Sequence, residues 1–160
     1  MRVAVTVTPE QGEPVRREVL VTPLAWDGSF EALGTGDDQF VDGSRSLKLG
    51  PALEGYLHQT VSLWLLPGHD YRASVQMRRD GFKARIYGTL LSVRSSTGDL
   101  PFLRQNGDAT KPNEWQTLTY EFSTPLDLER VLLYLYNVES ENAAWFDDIH
   151  VEDLGRTAER

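Results

Sequence analysis

Trp145-Phe146-Asp147-Asp148-Ile149-His150-Val151-Glu152-Asp153-Leu154 has the composition and spacing of a closing β-strand. Ile149 and Val151 alternate with Asp148 and His150, the period-two pattern of a strand with one buried face. The same alternation places Asp147 on the inward side, where a carboxylate is costly unless paired, protonated or bound to a metal. Far upstream, Gly28-Ser29-Phe30-Glu31 carries another acid. A last strand and an early segment that each bring a carboxylate suggest a sandwich whose ends meet around a cation.

Working outward from that strand, the same period recurs along the chain. Val131, Leu133 and Leu135 alternate with Leu132, Tyr134 and Tyr136, and Trp115, Leu118, Tyr120 and Phe122 mark the strand before. Tyr71, Ala73, Val75 and Met77 alternate with Arg72, Ser74, Gln76 and Arg78. Leu57, Gln59, Val61 and Leu63 form another set, and Ser46-Leu47-Lys48-Leu49 a shorter one. Asp80-Gly81 signals a hairpin before the run from Phe82 to Val93, which is apolar on both faces. Val3, Val5 and Val7, then Val15 to Thr22, read as an N-terminal hairpin, either an extra edge of the sandwich or the tail of a preceding domain. Between Ser95 and Asn113 the chain is polar and turn-rich, and a structureless loop of that length is unusual in a compact domain. Leu100 to Leu103 supplies a short strand there, or the loop is functional.

Strands punctuated by turn signals, with no helical period, predict an all-β fold: an antiparallel sandwich or barrel. Its core is expected to hold Val61, Leu63, Tyr71, Val75, Leu118, Tyr120, Phe122, Leu133, Leu135, Ile149 and Val151. Trp26, Trp64, Trp115 and Trp145 each fall near a strand end, where a large ring can plug the sandwich. His58, His69 and His150 sit on separate elements without metal-ligand spacing and are expected at the surface.

The 160 residues make one domain, long enough for a real core. A net charge of −8 argues against a nucleic-acid partner and suits neutral ligands or divalent cations. The absence of cysteine removes disulfides, thiolate zinc sites and cysteine nucleophiles together. No apolar run approaches the roughly 18 residues of a membrane span. The N-terminus lacks a signal-peptide pattern, so secretion is not encoded, although a chain that opens on a strand is consistent with a piece of a longer protein. Asp147 and Asp148 are adjacent and cannot flank one bond as a hydrolase pair does. With no nucleophile elbow, phosphate loop or zinc-protease motif either, no enzyme is expected.

The ordered series Gly28-Ser29-Phe30-Glu31, Gly43-Ser44-Arg45-Ser46-Leu47-Lys48-Leu49, Gln59-Thr60-Val61, Pro67-Gly68-His69-Asp70-Tyr71, Glu114-Trp115-Gln116 and Phe146-Asp147-Asp148-Ile149 resembles carbohydrate-binding modules of the 4/9/22 type. Those are galactose-binding-like jelly rolls that recognise xylan and β-glucans, usually as accessory domains of glycoside hydrolases. The resemblance implies an antiparallel jelly-roll β-sandwich over residues 25–154, with an N-terminal hairpin or tail over 1–24 and a C-terminal tail over 155–160. It implies a polysaccharide or oligosaccharide partner, an extracellular or cell-surface setting, and attachment to other domains. It also implies a structural calcium held by the Ser29 carbonyl, Glu31, Asp42, the Arg45 carbonyl and Asp147, a set of hard oxygen ligands. The other reading of those acids leaves Glu31 and Asp42 solvated and bonds Asp147 to a backbone amide. The same jelly roll also serves as a structural or protein-interaction domain in surface or phage-type assemblies.

Sugar binding needs flat aromatic surfaces against ring faces, with amide, guanidinium and hydroxyl groups at the rim. Tyr134 and Tyr136 with Arg72, Gln76 and Arg78 offer that mixture, and Tyr87 joins them if its strand has the right phase. The alternative is that both tyrosines pack under the loop after Ser95.

Overall fold

The computed structural model describes residues 2–7, 15–20, 39, 41, 45–81 and 84–157. In chain order the strands are β1 (Arg2–Val7), β2 (Val15–Leu20), β3 (Leu47–Leu49), β4 (Ala52–Leu63), β5 (His69–Arg79) and β6 (Ala84–Ser95). There follow β7 (Gly98–Asp99), β8 (Leu103–Asn106), β9 (Gln116–Ser123), β10 (Leu128–Ser140) and β11 (Ala144–Arg156). All ladders are antiparallel.

One sheet runs β4-β10-β6, with β7 and β8 both paired to β6; the other runs β3-β11-β5-β9. Together they form the jelly-roll sandwich that the alternation and the resemblance predict. β1 and β2 pair only with each other among the described residues, Val3 opposite Val19 and Val5 opposite Arg17. No helix among the described residues is long and apolar enough to cross a membrane.

The core is the product of period two. From one sheet come Tyr87, Leu91, Val93, Val131, Leu133 and Leu135; from the other, Ala73, Val75, Met77, Leu118, Tyr120, Phe146 and Ile149. Each Val, Leu, Ile, Phe or Met among them contributes about 1.5–3 kcal/mol on removal from water. Val61, Phe122 and Val151 pack half-buried against this cluster, and Tyr71 is buried as expected. Trp26 lies outside the described residues, and the other tryptophans divide. Trp145 is buried beneath the Lys48 ammonium, but Trp64 stands 74% exposed and plugs nothing.

Two polar devices sit inside. The Thr89 and Tyr120 hydroxyls hydrogen-bond each other across the two sheets. At one end of β5 the Arg79 side chain is wholly buried, its guanidinium carbon 4.5 Å from the Tyr87 ring centre.

A β-bulge corrects the expected side of Asp147. Along β11, Phe146 pairs with Met77 and Asp147 with Gln76, but the next pair is His150 with Ser74. Asp148 and Ile149 therefore face one residue, and Asp148 takes φ +44°. The extra residue resets the phase, so Phe146 and Ile149 both point into the core. Asp147 lies on the opposite face, beside Gln76. It is nonetheless fully buried, because the chain at Val41 crosses over it.

Candidate functional site: an aromatic groove on one outer face

On β10 the residues that alternate with the core are Leu132, Tyr134, Tyr136 and Val138, and they face outward. Antiparallel register sets His58 of β4 and Gly88 of β6 opposite Tyr136, and Leu90 opposite Tyr134. Tyr56 and Val138 pair one step along. The result is a groove of about 470 Å³ floored by Tyr134, Tyr136, Leu90 and Val138. Tyr56 and His58 line one side, and Phe102 and Arg104 the other.

The wall at Phe102 and Arg104 comes from the turn-rich segment after Ser95, which is not structureless. It holds β7 and then β8, which begins at Leu103 rather than Leu100; Leu103 pairs with Leu91 and Asn106 with Gly88. The β8 backbone comes so close that a Cβ on Gly88 would lie 2.2 Å from the Gln105 carbonyl oxygen. Glycine is required there by space. Gly107 closes the segment, its amide bonded to the Tyr87 carbonyl at 3.0 Å.

The rings form a connected surface. The His58 ring centre lies 5.4 Å from that of Tyr56 and 6.1 Å from that of Tyr134. Tyr56 is 65% and Phe102 60% exposed, an open display of aromatic area in a small domain. Tyr136 is deeper: its hydroxyl donates to Asn106 Oδ1 at 2.7 Å, which ties the floor to β8. Burial raises the Tyr136 phenol pKa, and the Arg104 charge works against that rise. One tyrosine thus packs under the loop, as the alternative reading had it, while Tyr134 stays half-open.

The residues expected at the ligand face are divided by the structure. Tyr134 and Tyr136 come together. Arg72, Gln76 and Arg78 lie on β5, in the other sheet, and face the opposite side of the sandwich. They are engaged there: Arg72 reaches Glu121 at 2.9 Å and Glu152 at 3.3 Å, and Arg78 reaches Asp80 at 3.3 Å. Gln76 accepts a hydrogen bond from Thr117 at 3.2 Å. Tyr87 is 2% exposed and belongs to the core, since β6 turns Tyr87, Thr89, Leu91 and Val93 inward. Tyr56, His58, Phe102 and Arg104 were missed. Tyr56 and His58 were available as the other face of the Leu57-Gln59-Val61 alternation; Phe102 and Arg104 carry no local signal.

Of the expected calcium ligands, Ser29, Glu31 and Asp42 lie outside the described residues. Arg45 and Asp147 are described, and Asp147 shows the environment directly. Its Oδ2 accepts from the Val41 amide at 2.7 Å and its Oδ1 from the Asp148 amide at 2.9 Å. A carboxylate oxygen can accept more than one bond, so these amide bonds are compatible with a metal ligand. The Ser46 hydroxyl donates to the Gln39 carbonyl at 2.5 Å, pinning the two ends of the segment that carries Asp42 and Arg45. His69 is not a plain surface residue: its Nδ1 meets Asp153 at 2.9 Å, holding that carboxyl below its usual pKa.

The sequence matches no protein-family model and no curated protein. Solved structures are similar in fold. A family 16 carbohydrate-binding module superposes with TM-score 0.63 at 13% identity, over 81% of this chain and 99% of that one. The CBM22-1 xylan-binding domain of Paenibacillus barcinonensis Xyn10C gives 0.57 at 15%, over 76% and 80%. The enzymatically active domain of bacteriophage CBA120 tailspike protein 4 gives 0.57 at 15%, over 74% of this chain and 17% of that one. The chain therefore has the jelly-roll fold of the carbohydrate-binding modules.

Proposed function

We propose that this chain is a non-catalytic carbohydrate-binding module that holds a polysaccharide in the groove over β10. One observation carries the reading: Tyr56, His58, Phe102 and Tyr134 gather from three strand regions into one open aromatic surface rimmed by polar groups. Aromatic faces are electron-rich and attract the polarised C–H groups of a sugar ring, while Arg104 and His58 can bond its hydroxyls. Such a mixture of apolar lining and a few convergent polar groups is that of a ligand site. The xylan-binding modules among the structures of similar fold support the substrate class.

A structural calcium at Asp147 belongs to the same reading. It is supported by the full burial of that carboxylate under the chain at Val41, with Arg45 four residues further on. Bound there, the ion would neutralise Asp147 and tie the early segment to the last strand. Affinity electrophoresis against xylans and β-glucans tests the sugar reading. Retarded migration, weakened by Tyr134→Ala, supports it. Unretarded migration through every polymer would return the chain to the structural or protein-interaction class.

A further inference from the structure

Charge at the groove runs against charge on the chain. Acids outnumber lysine and arginine by 24 to 16, giving a net −8. Among the described residues Arg72 is held by Glu121 and Glu152 and Arg94 by Glu129 at 3.3 Å, whereas the exposed Arg130 and Arg156 make no ion pair but lie away from the groove. Arg104 makes no ion pair among the described residues, though it stands in the groove wall beside Phe102. Nor does the lining hold any carboxylate; its nitrogen bases are Arg104 and His58. The Arg104 charge reaches the floor, where it opposes the burial of the Tyr136 phenol.

We infer that the groove selects glycans carrying a carboxylate, such as a uronic acid branch, with Arg104 receiving the acid while the aromatic surface stacks the neighbouring sugar. This rests on the carbohydrate reading and narrows it. A guanidinium is a planar fork of donors that matches a carboxylate with two parallel N–H···O bonds. Left without a protein carboxylate in an acid-rich chain, it is available to one on the ligand. The net −8 of the chain opposes the approach of an acidic polymer, so the attraction concentrated at one wall fixes its register.

The test is isothermal titration calorimetry of the full chain against glucuronoxylan and against the same polymer after its uronic acids are reduced to neutral sugars. The expected result is tighter binding to the acidic polymer by about three- to tenfold, the range of one charge-assisted contact partly exposed to water. Arg104→Gln should bring the ratio of the two affinities close to one, and about 0.5 M salt should shrink it in wild type. Equal binding of both polymers by wild type overturns the inference and leaves the carbohydrate reading standing. An acidic preference that survives Arg104→Gln also overturns it. Binding to neither polymer overturns the inference, and binding to no glycan in the wider panel overturns the underlying reading as well.

Discussion

The Val41 amide donates to Asp147 Oδ2 at 2.7 Å, joining positions 106 residues apart. The bond fastens an early segment to the last strand over a fully buried carboxylate, which also accepts from the Asp148 amide. Losing a buried partner of this kind costs about 1–3 kcal/mol. Asp147→Ala should therefore lower the melting temperature by several degrees, readable by calorimetry.

If that carboxylate also holds calcium, the ion stabilises the fold by mass action. At a hundred times its dissociation constant it adds about 2.7 kcal/mol. For a domain of this size EDTA should then lower the melting temperature by about 5–10 °C. Magnesium should restore it poorly, being small and slow to shed water, and Asp147→Asn should remove the calcium response. Identical melts with EDTA and with millimolar calcium would remove the ion and assign Asp147 to backbone hydrogen bonds.

Arg79 is buried with none of its guanidinium nitrogens hydrogen-bonded among the described residues, and the Tyr87 ring faces it. Replacing a buried charge by an apolar side chain of similar volume is often neutral or stabilising, by about 1–4 kcal/mol. Arg79→Met should leave the melting temperature unchanged or raise it. A large drop would show that the guanidinium is held by a partner.

Burial pushes the Tyr120 phenol up to about 12, against an ordinary 10.0. As pH rises the unfolded chain loses that proton first, so stability is full below the unfolded value. It then declines between about pH 10 and 12, as the native phenol resists ionisation. Melting temperature should fall over that window, and fall less steeply in Tyr120→Phe, which has no phenol to titrate. An unchanged slope would assign the alkaline loss to other tyrosines.

Tyr134 and Tyr136 should behave differently although they share a face. Tyr136 is 9% exposed and bonded to Asn106, so truncation to alanine should cost about 3 kcal/mol. Tyr136→Phe, losing only the hydrogen bond, should cost about 1 kcal/mol. Tyr134→Ala should move stability less than Tyr136→Ala, because its ring is half-open. Urea denaturation of the three variants measures this.

The core was legible because burial on one face leaves a period of two in the sequence, as Val75, Leu133 and Leu135 show. Alternation assigns a face but not a sheet, which is why Arg72 and Tyr134 looked like neighbours when they lie on opposite sides. The bulge was hidden for a related reason. Asp148 is polar and Ile149 apolar, as a regular strand would have them, and nothing local reveals that Asp148 adopts a positive φ. The groove wall was least legible of all. Phe102 and Arg104 acquire their place only when β8 pairs with β6 over Gly88, a contact set by tertiary structure and by the missing Cβ.

The central claim is that the surface over β10 binds sugar, and direct titration of wild type, Tyr134→Ala and Phe102→Ala with xylan oligosaccharides and glucuronoxylan tests it most directly. Wild type should bind, and each variant should bind about tenfold or more weakly, a loss of roughly 1.4 kcal/mol for one stacking ring, with its fold intact. Wild-type binding that neither substitution weakens, or no heat with any glycan, would contradict it.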